Sequence, residues 1–473
     1  MRVKAARRRP ALPCGGRTND WTQAEDDVYR RAVAHVTTVA ARTAPNARAA
    51  ETATAAAGGR ATFARGALLY LAAVALVVSR RPDGITYPQF WAEDGMVWFA
   101  QAYNEGALPA LLSPWTGYAQ TFSRLVAAVS LLVPFRDAPL VFNVAAVLAQ
   151  ALAPFFLASS RLASVIPDRR IRLLAALLWI GAPNGFEIQS NVTNAQTHFA
   201  LLSLLIVLAD APPTRAWAVF DVAALLLGGL SGPTCVLLVP VAALAWLRDR
   251  RRWRFVVLAT LAVPAAVQLG VYLRTGGAGR QSTALGASAV RFLQIVGGQV
   301  FVAGTLGAKL YERLFVHGGR LFAAVPLLAG IGGLAFVARA LRVSRSAPLR
   351  LFVLFASLAL AAALWSPVLS AVPRWDGLRL PNVGIRYVAP PILAWLAVLL
   401  WSACADPSGR ARLGARLTLA AVLLIGLPSD WRVAPRPDLD FPRHAERFER
   451  RRPGKPIRIP IPPEGWKMKL WKR

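Results

Sequence analysis

Apolar segments long enough to cross a lipid bilayer recur along most of this chain of 473 residues. A transmembrane helix needs about 20 mostly apolar residues, and runs of about 17 are tolerated. Hydrophobic residues make up 55% of the chain, and its mean hydropathy is +0.43. A soluble enzyme would alternate polar and apolar faces much more often. The sequence therefore predicts an all-α polytopic membrane protein with about 11–13 transmembrane helices.

The charge of the segments between the apolar runs predicts the orientation of the chain. Basic segments tend to stay in the cytoplasm, and residues 1–64 are rich in Arg, Ala and Thr. We expect them to form a disordered cytoplasmic tail, followed by a transmembrane domain at 65–428 and an extracytoplasmic tail at 429–473. Outer loops are expected at 80–121, in helical form, and at 274–320. Alternation and prolines predict a short extended segment near the C-terminus.

The topology stays open at one point. The apolar runs 122–135 and 139–158 both lie between the first outer loop and the basic loop 160–172, which should be cytoplasmic. If both runs cross the membrane, the loop falls on the wrong side. Either the first run lies along the interface, or the loop breaks the positive-inside rule. A later apolar segment, 290–306, contains an arginine and two glutamines, which suggests a helix lying on the membrane surface.

The net charge of +31 comes from 55 Lys and Arg against 24 Asp and Glu. The positive residues flank the apolar runs, which favours contact with the headgroups of membrane lipids. No aromatic–basic repeat or finger motif is present, so nucleic acid is not expected as a partner. The sequence also contains no GxxxxGK[ST], HExxH or GxSxG motif. Its three cysteines, Cys14, Cys235 and Cys404, follow no metal spacing and imply no disulfide framework.

Two adjacent acids follow the first apolar run, in the segment YPQFWAEDG, Tyr87–Gly95. Carboxylates are scarce in this chain, and Glu93 and Asp94 lie among aromatic residues that include Trp91. Aromatic neighbours exclude water, and a poorly hydrated carboxylate has a raised pKa and becomes a better base. We therefore take Glu93 and Asp94 as candidate catalytic residues. The alternative is that one of them caps a helix N-terminus, where negative charge is favoured.

A second group of polar residues precedes an apolar run. Glu187, Asn191, Asn194 and His198 are separated by four, three and four residues, a spacing that places side chains on one face of a helix. Polar groups at the outer end of a transmembrane helix face a cavity or another helix. The sequence thus predicts either a substrate-binding stripe or a set of contacts between neighbouring helices.

Arginine recurs at the predicted outer ends of helices. Arg124 and Arg386 stand at or just before apolar runs, and Arg280 lies in a glycine-rich loop. The guanidinium group matches the oxygens of phosphate and stays charged at an interface, so these three are candidate phosphate ligands. The alternative is that they extend to lipid headgroups without a specific ligand. No metal-ligand set is predicted, and a divalent cation at Glu93 or Asp94 has little support.

Several short motifs resemble the bacterial, polyprenyl-phosphate-sugar-dependent members of the C-type membrane glycosyltransferase superfamily. The resemblance covers roughly residues 65–473 and is carried by FWAEDG (90–95), GYAQTFSRL (117–125), NVTNAQTH (191–198), IRYVAPP (385–391) and IPIPPEGW (459–466).

The resemblance implies transfer of a sugar from a polyprenyl-phosphate carrier to an envelope glycan or lipid acceptor, outside the inner (plasma) membrane. Asp94, or Glu93, matches the position of the family's catalytic carboxylate and would act as general base. Arg386 and Arg124 would stabilise the departing lipid phosphate. The loop 274–288 would close over the donor. Many members carry a further acidic motif in a later outer loop, where this chain offers only Glu187.

The same resemblance assigns further substrate contacts. The residues from Glu187 to His198 would line the sugar or acceptor cavity, and we assign Trp91 and Tyr118 as candidate contacts from the first outer loop. Two other classes of function stay open. A transporter or flippase of a lipid-linked sugar would show internal repeats or helices broken in mid-membrane, and neither is evident. A non-catalytic envelope assembly subunit would not require the acidic pair.

Overall fold

The computed structural model describes residues 64–276, 284–368 and 373–472. The predicted tail at 1–64 lies almost wholly outside these residues, and so does Arg280. Residues from Leu68 onward belong to one structural unit, and the described part of this unit is largely helical. The chain is therefore all-α in its main architecture, with one small exception near the C-terminus.

Seven helices among the described residues are long and apolar enough to cross a membrane. This finding supports a polytopic membrane protein, whereas the number of 11–13 spans stays a prediction. The seven helices are Phe135–Ala158, Arg252–Thr275, Ala289–Leu306, Arg320–Val343, Ala347–Trp365, Ile385–Ala405 and Gly409–Trp431.

The other helices are shorter. A first helix is described over residues 64–80. The longer members of this group are Thr121–Ser130, Arg169–Ile180, Ala195–Leu208, Arg215–Leu230, Thr234–Asp249, Ala308–His317 and Phe441–Glu449. Short helical segments lie at Asp83–Thr86, Asp94–Phe99, Ala100–Glu105, Ala107–Leu112, Ser160–Leu162, Phe186–Ile188 and Arg374–Leu378.

The apolar run 122–135 forms a helix of only 10 residues, Thr121–Ser130. At 1.5 Å per residue this helix is about 15 Å long, roughly half the hydrocarbon thickness of a bilayer. Leu125, Val129 and Leu132 are exposed, whereas Arg124 points inward and is buried. The short length of this helix favours the first of the two alternatives, in which the run lies along the interface. The choice between the two stays a prediction.

The helix Ala195–Leu208 forms the centre of the largest hydrophobic cluster. After a first turn that carries Gln196, Thr197 and His198, its sequence is apolar on almost every side, and 12 of its 14 residues are buried. A helix without a polar face must be covered all round, and here the helices Ala138–Ala158, Arg215–Leu230 and Thr234–Asp249 pack against it. The polar segment 186–194 immediately precedes this helix and is thereby held at one end of the core.

The segment 290–306 is a largely buried helix and not one that lies exposed on a surface, and it is apolar enough to cross a membrane. The assignment of 274–320 as one outer loop stays a prediction. The segment 290–306 belongs to the buried helix Ala289–Leu306, and Gln299 is fully buried. The amide of Gln299 donates to the carbonyl of Leu378 at 3.1 Å, so its polarity is satisfied inside the protein. At Gly297 an added Cβ would lie 1.7 Å from the carbonyl oxygen of Pro326 in the helix Arg320–Val343. The helices Ala289–Leu306 and Arg320–Val343 are therefore in close backbone contact at this point.

The C-terminal tail forms a helix and a β-hairpin. The helix Phe441–Glu449 precedes strands β1, Pro456–Pro460, and β2, Lys467–Trp471, which pair antiparallel. Residues of both parts join a second hydrophobic cluster with aromatic residues of the segment 80–121. This cluster contains Phe90, Phe99, Phe441, Phe448, Ile459, Met468 and Leu470. The tail therefore packs directly beside the acidic segment Tyr87–Gly95.

Candidate active site

Asp94 is completely buried and accepts three hydrogen bonds from a segment about 100 residues later in the chain. The backbone N–H and the hydroxyl of Thr193 both donate to Oδ1 at 2.8 Å, and the N–H of Val192 donates to Oδ2 at 3.2 Å. Burial raises the pKa of Asp94 to about 7, although the hydrogen bonds act in the opposite direction. Asp94 therefore fixes the segment 80–121 against residues 192–193.

The backbone around the acidic pair is held by the C-terminal tail. The N–H of Ala92 donates to the carbonyl of Pro462 at 2.6 Å, and Ala92 has a φ of 45°. This left-handed conformation is unfavourable for alanine. A Cβ at Gly95 would approach Ile461 and Phe90 to 2.9 Å, so the position has no room for a side chain. The tail thus helps to set the direction of the segment that carries Glu93.

Glu93 is the more accessible of the two acids, because its side chain is only partly buried. Burial raises its pKa, the positive charge of Arg386 opposes this change, and the negative charge of Glu187 adds to it. Glu93 therefore lies within electrostatic reach of both residues. The segment from Asp94 to Phe99 is π-helical, a rare conformation that is frequent at functional sites.

Arg386 and Glu187 form an ion pair. The guanidinium Nη1 contacts Oε1 of Glu187, and the backbone N–H of Arg386 donates to Oε2 at 3.1 Å. The guanidinium Nη2 donates to the carbonyl of Val368 at 3.0 Å and to the hydroxyl of Tyr387 at 3.2 Å. The side chain of Arg386 retains 32% of its exposure. Glu187 thus holds a partly exposed guanidinium group in a fixed position.

The predicted polar stripe is not a helical face. Residues Phe186–Ile188 form a single 3₁₀ turn, and the helix begins only at Ala195. Ser190, with a φ of 52°, interrupts any regular helix between them. Asn191 and Asn194 are nevertheless brought together: both amide groups donate to the carbonyl of Glu187, at 2.7 and 3.1 Å. These two residues are buried, and their amide groups shape the loop itself and do not join neighbouring helices. Their role as substrate contacts stays a prediction.

His198 lies at the first turn of the central helix and lines a small internal cavity. Its Nε2 is 2.9 Å from the carbonyl of Ile188, while Nδ1 has no partner among the described residues. The cavity, which Gln150, Asn184 and Gln189 also line, has a volume of about 20 Å³, enough for one water molecule. A sugar ring does not fit there in this conformation.

Two buried arginines that the sequence did not reveal as site residues lie close to the ring of Trp91. The guanidinium carbons of Arg81 and Arg436 are 5.8 and 5.3 Å from the centroid of its ring. Arg436 also donates to the carbonyls of Gln89 and Ser190, both at 2.8 Å, and burial lowers its pKa to about 10. Arg81 directly follows the first helix, and this position was the only signal available in the sequence.

Tyr118 precedes the helix Thr121–Ser130, and Arg124 lies in its first turn. Arg124 is buried, and its guanidinium carbon lies 4.7 Å from the centroid of the Trp98 ring. Its Nη2 donates to the carbonyl of Ser113 at 3.1 Å. In this conformation the guanidinium group of Arg124 is open neither to lipid headgroups nor to a donor phosphate, because the surrounding residues cover it. Its role as a phosphate ligand stays a prediction. Tyr118 is partly buried and pairs through its backbone with Trp115. Neither residue contacts the ion pair at Glu187.

The described residues contain no group of three or more His, Cys, Asp or Glu side chains that could hold a metal ion. The candidate site consists of the partly exposed carboxylate of Glu93, the buried carboxylate of Asp94 and the ion pair of Arg386 with Glu187.

A scan against protein-family models and a search of curated proteins found no match to this chain.

Proposed function

We propose that this protein is a membrane glycosyltransferase that moves a sugar from a polyprenyl-phosphate carrier to a glycan or lipid acceptor on the outer face of the plasma membrane. The proposal rests on the motifs FWAEDG and IRYVAPP, on the apolar helices and on the position of Glu93. Because Asp94 is enclosed and its oxygens are already hydrogen-bonded, we assign Glu93 as the base and Asp94 as a positioning residue.

One observation carries the assignment. Glu93 belongs to the first outer loop, Glu187 to the loop before the central helix and Arg386 to the start of the helix Ile385–Ala405. Although almost 300 residues separate Glu93 from Arg386, hydrogen bonds link the segments that carry them. Asp94, the neighbour of Glu93, accepts from Thr193, and Asn194 donates to the carbonyl of Glu187. Glu187 in turn pairs with Arg386. A candidate base and a candidate phosphate ligand therefore lie in the same part of the protein, as a reaction between an alcohol and a lipid-linked sugar requires.

The chemistry needs one proton transfer and one displacement. The acceptor hydroxyl oxygen attacks the anomeric carbon of the sugar, and its proton passes to the Glu93 carboxylate. The bond between the anomeric carbon and the phosphate oxygen breaks, and its electron pair stays on the lipid phosphate. Arg386 stabilises this additional negative charge. A single displacement of this kind inverts the anomeric configuration.

The described conformation holds Arg386 against Glu187, and the nearby cavity accommodates only a water molecule. Binding of a lipid-linked sugar would therefore require the loops around this pair to open. On this proposal the donor phosphate would either share Arg386 with Glu187 or displace Glu187 from it. The partly exposed position of the guanidinium group makes such an exchange feasible.

The function is tested with the purified protein in neutral proteoliposomes that contain a radiolabelled polyprenyl-phosphate sugar. The expected result is transfer of the label to an acceptor glycan or lipid, with release of polyprenyl phosphate. Movement of the intact lipid-linked sugar between leaflets, without cleavage of the sugar–phosphate bond, would contradict the proposal and favour a flippase. Neither binding nor turnover with any lipid-linked sugar would favour an assembly subunit.

A further inference from the structure

The C-terminal tail carries a concentration of positive charge that the proposed reaction does not use. Residues 441–472 contain ten Lys or Arg and three Glu, a net charge of +7. Near this region the ion pairs of the described residues are long, Arg443 with Asp440 at 3.8 Å and Arg450 with Glu446 at 3.9 Å. Most of these cations are exposed, so the charge is available to a partner.

The β-hairpin arranges part of this charge on one face. Burial alternates along β2, where Met468 and Leu470 pack inward while Lys467, Lys469 and Trp471 are exposed. Arg458 of β1 is exposed and lies directly opposite Lys469. We call the four exposed residues Arg458, Lys467, Lys469 and Trp471 the cationic hairpin face. Its charges are separated by about 5 Å across the strands and about 7 Å along β2.

The pairing of Arg458 with Lys469 is unfavourable in the protein alone. Like charges directly opposite each other destabilise a sheet, and the described residues place no carboxylate between them. The hairpin is held from beneath instead, by Ile459, Met468 and Leu470 in the second hydrophobic cluster. Asn104 also anchors it, donating to the carbonyl of Lys469 at 2.9 Å. The packing beneath the hairpin therefore holds Arg458 and Lys469 opposite each other despite the repulsion between their charges. An anionic ligand bound to both would reduce this repulsion.

The indole ring of Trp471 completes the surface. It is 44% exposed, and the ammonium group of Lys469 lies 4.9 Å from its centroid. An exposed indole offers a flat apolar face to the C–H bonds of a sugar ring, next to cations that attract acidic groups. A membrane-binding surface would need a broader apolar side. Among the described residues of 441–472, Trp471 is the sole exposed large hydrophobic residue.

We propose that the cationic hairpin face binds a linear acidic polysaccharide in the aqueous space outside the membrane. The spacing of Arg458, Lys467 and Lys469 fits a chain with a negative charge on successive sugars, and Trp471 packs against one of the rings. This binding does not require that the protein catalyses sugar transfer.

The test uses the full-length protein in nanodiscs of neutral phosphatidylcholine and fluorescent polygalacturonate as the probe. Wild-type protein should bind the probe, and neutral dextran should not compete. The triple substitution Arg458→Ser, Lys467→Ser and Lys469→Ser should raise the Kd about ten-fold or more, since three modest ionic contacts are lost. The charge-conserving Arg458→Lys, Lys467→Arg and Lys469→Arg should change the Kd by about two-fold or less.

A matched control removes the same number of charges elsewhere. Arg248, Arg410 and Arg412 are exposed and lie outside the tail, so their joint replacement by serine should leave the Kd unchanged. Three results would overturn the proposal: equal binding by the folded hairpin variant, equal loss in the control variant, or tighter binding to single-stranded DNA or phosphatidylglycerol vesicles than to the polysaccharide. Size-exclusion elution and thermal unfolding establish that each variant is folded.

Discussion

Glu187 and Arg386, which are 199 positions apart, form a doubly connected pair. One carboxylate oxygen contacts the guanidinium group, and the other accepts the backbone N–H of Arg386 at 3.1 Å. The pair joins the loop before the central helix to the start of the helix Ile385–Ala405. It thereby fixes the position of the guanidinium group and of the helix end from which this group extends.

We expect Glu187→Gln to lower the free energy of unfolding by about 1–2 kcal/mol, between the values for exposed and buried ion pairs. Thermal unfolding measures this effect.

Arg386→Lys should keep the charge but lose the planar guanidinium fork, and should raise the KM for the lipid-linked donor about ten-fold. Titration of the donor measures this KM. An unchanged KM in Arg386→Lys would show that the fork does not bind the donor phosphate.

The hydroxyl of Thr193 has two partners. It donates to Asp94 at 2.8 Å and accepts from the indole N–H of Trp98 at 3.1 Å. Thr193→Val preserves the shape but removes the hydroxyl, and we expect a loss of about 1–3 kcal/mol from the two buried groups left without this partner. Thr193→Ser keeps the hydroxyl and should lose about 1 kcal/mol or less. Similar unfolding free energies for the Val and Ser variants would exclude this role for the hydroxyl.

The titration of Asp94 predicts a pH dependence of stability. Burial raises its pKa from the ordinary value of 3.8 to about 7. The folded protein therefore binds the proton more tightly than the unfolded chain. The resulting stabilisation is fully present below pH 3.8 and is lost as the pH rises through about 7. Relative to Asp94→Asn, wild-type protein should lose stability between pH 4 and 8 in thermal unfolding. A constant difference over this range would contradict the raised pKa.

The helices Ala289–Leu306 and Arg320–Val343 approach each other closely at glycine residues. A Cβ at Gly330 would lie 2.3 Å from the carbonyl of Leu293, so Gly330→Ala should destabilise the protein by about 1–3 kcal/mol through overpacking. Gly332 is two residues away on the same helix, and a Cβ there meets nothing within 4 Å. Gly332→Ala should therefore be neutral or slightly stabilising. Equal effects of both substitutions on thermal unfolding would exclude this explanation.

The sequence predicted the membrane-helix architecture because long apolar runs have few alternatives to burial in lipid or in protein. It did not predict the loop at 187–194, since a spacing of three and four residues indicates a helix whether or not the backbone completes one. Left-handed residues such as Ser190 interrupt the helix, and polar spacing does not reveal them. The contacts of Arg81 and Arg436 with Trp91 were also missed, because residues far apart in sequence form them only after folding.

The most direct test of the central claim is the rate of sugar transfer by Glu93→Gln, measured in single-turnover experiments with a polyprenyl-phosphate sugar. Gln retains the size of Glu93 but cannot take up the acceptor proton, so we expect the rate to fall about a hundred-fold or more, with thermal unfolding and donor binding unchanged. Transfer at the wild-type rate by this folded variant would show that Glu93 is not the base.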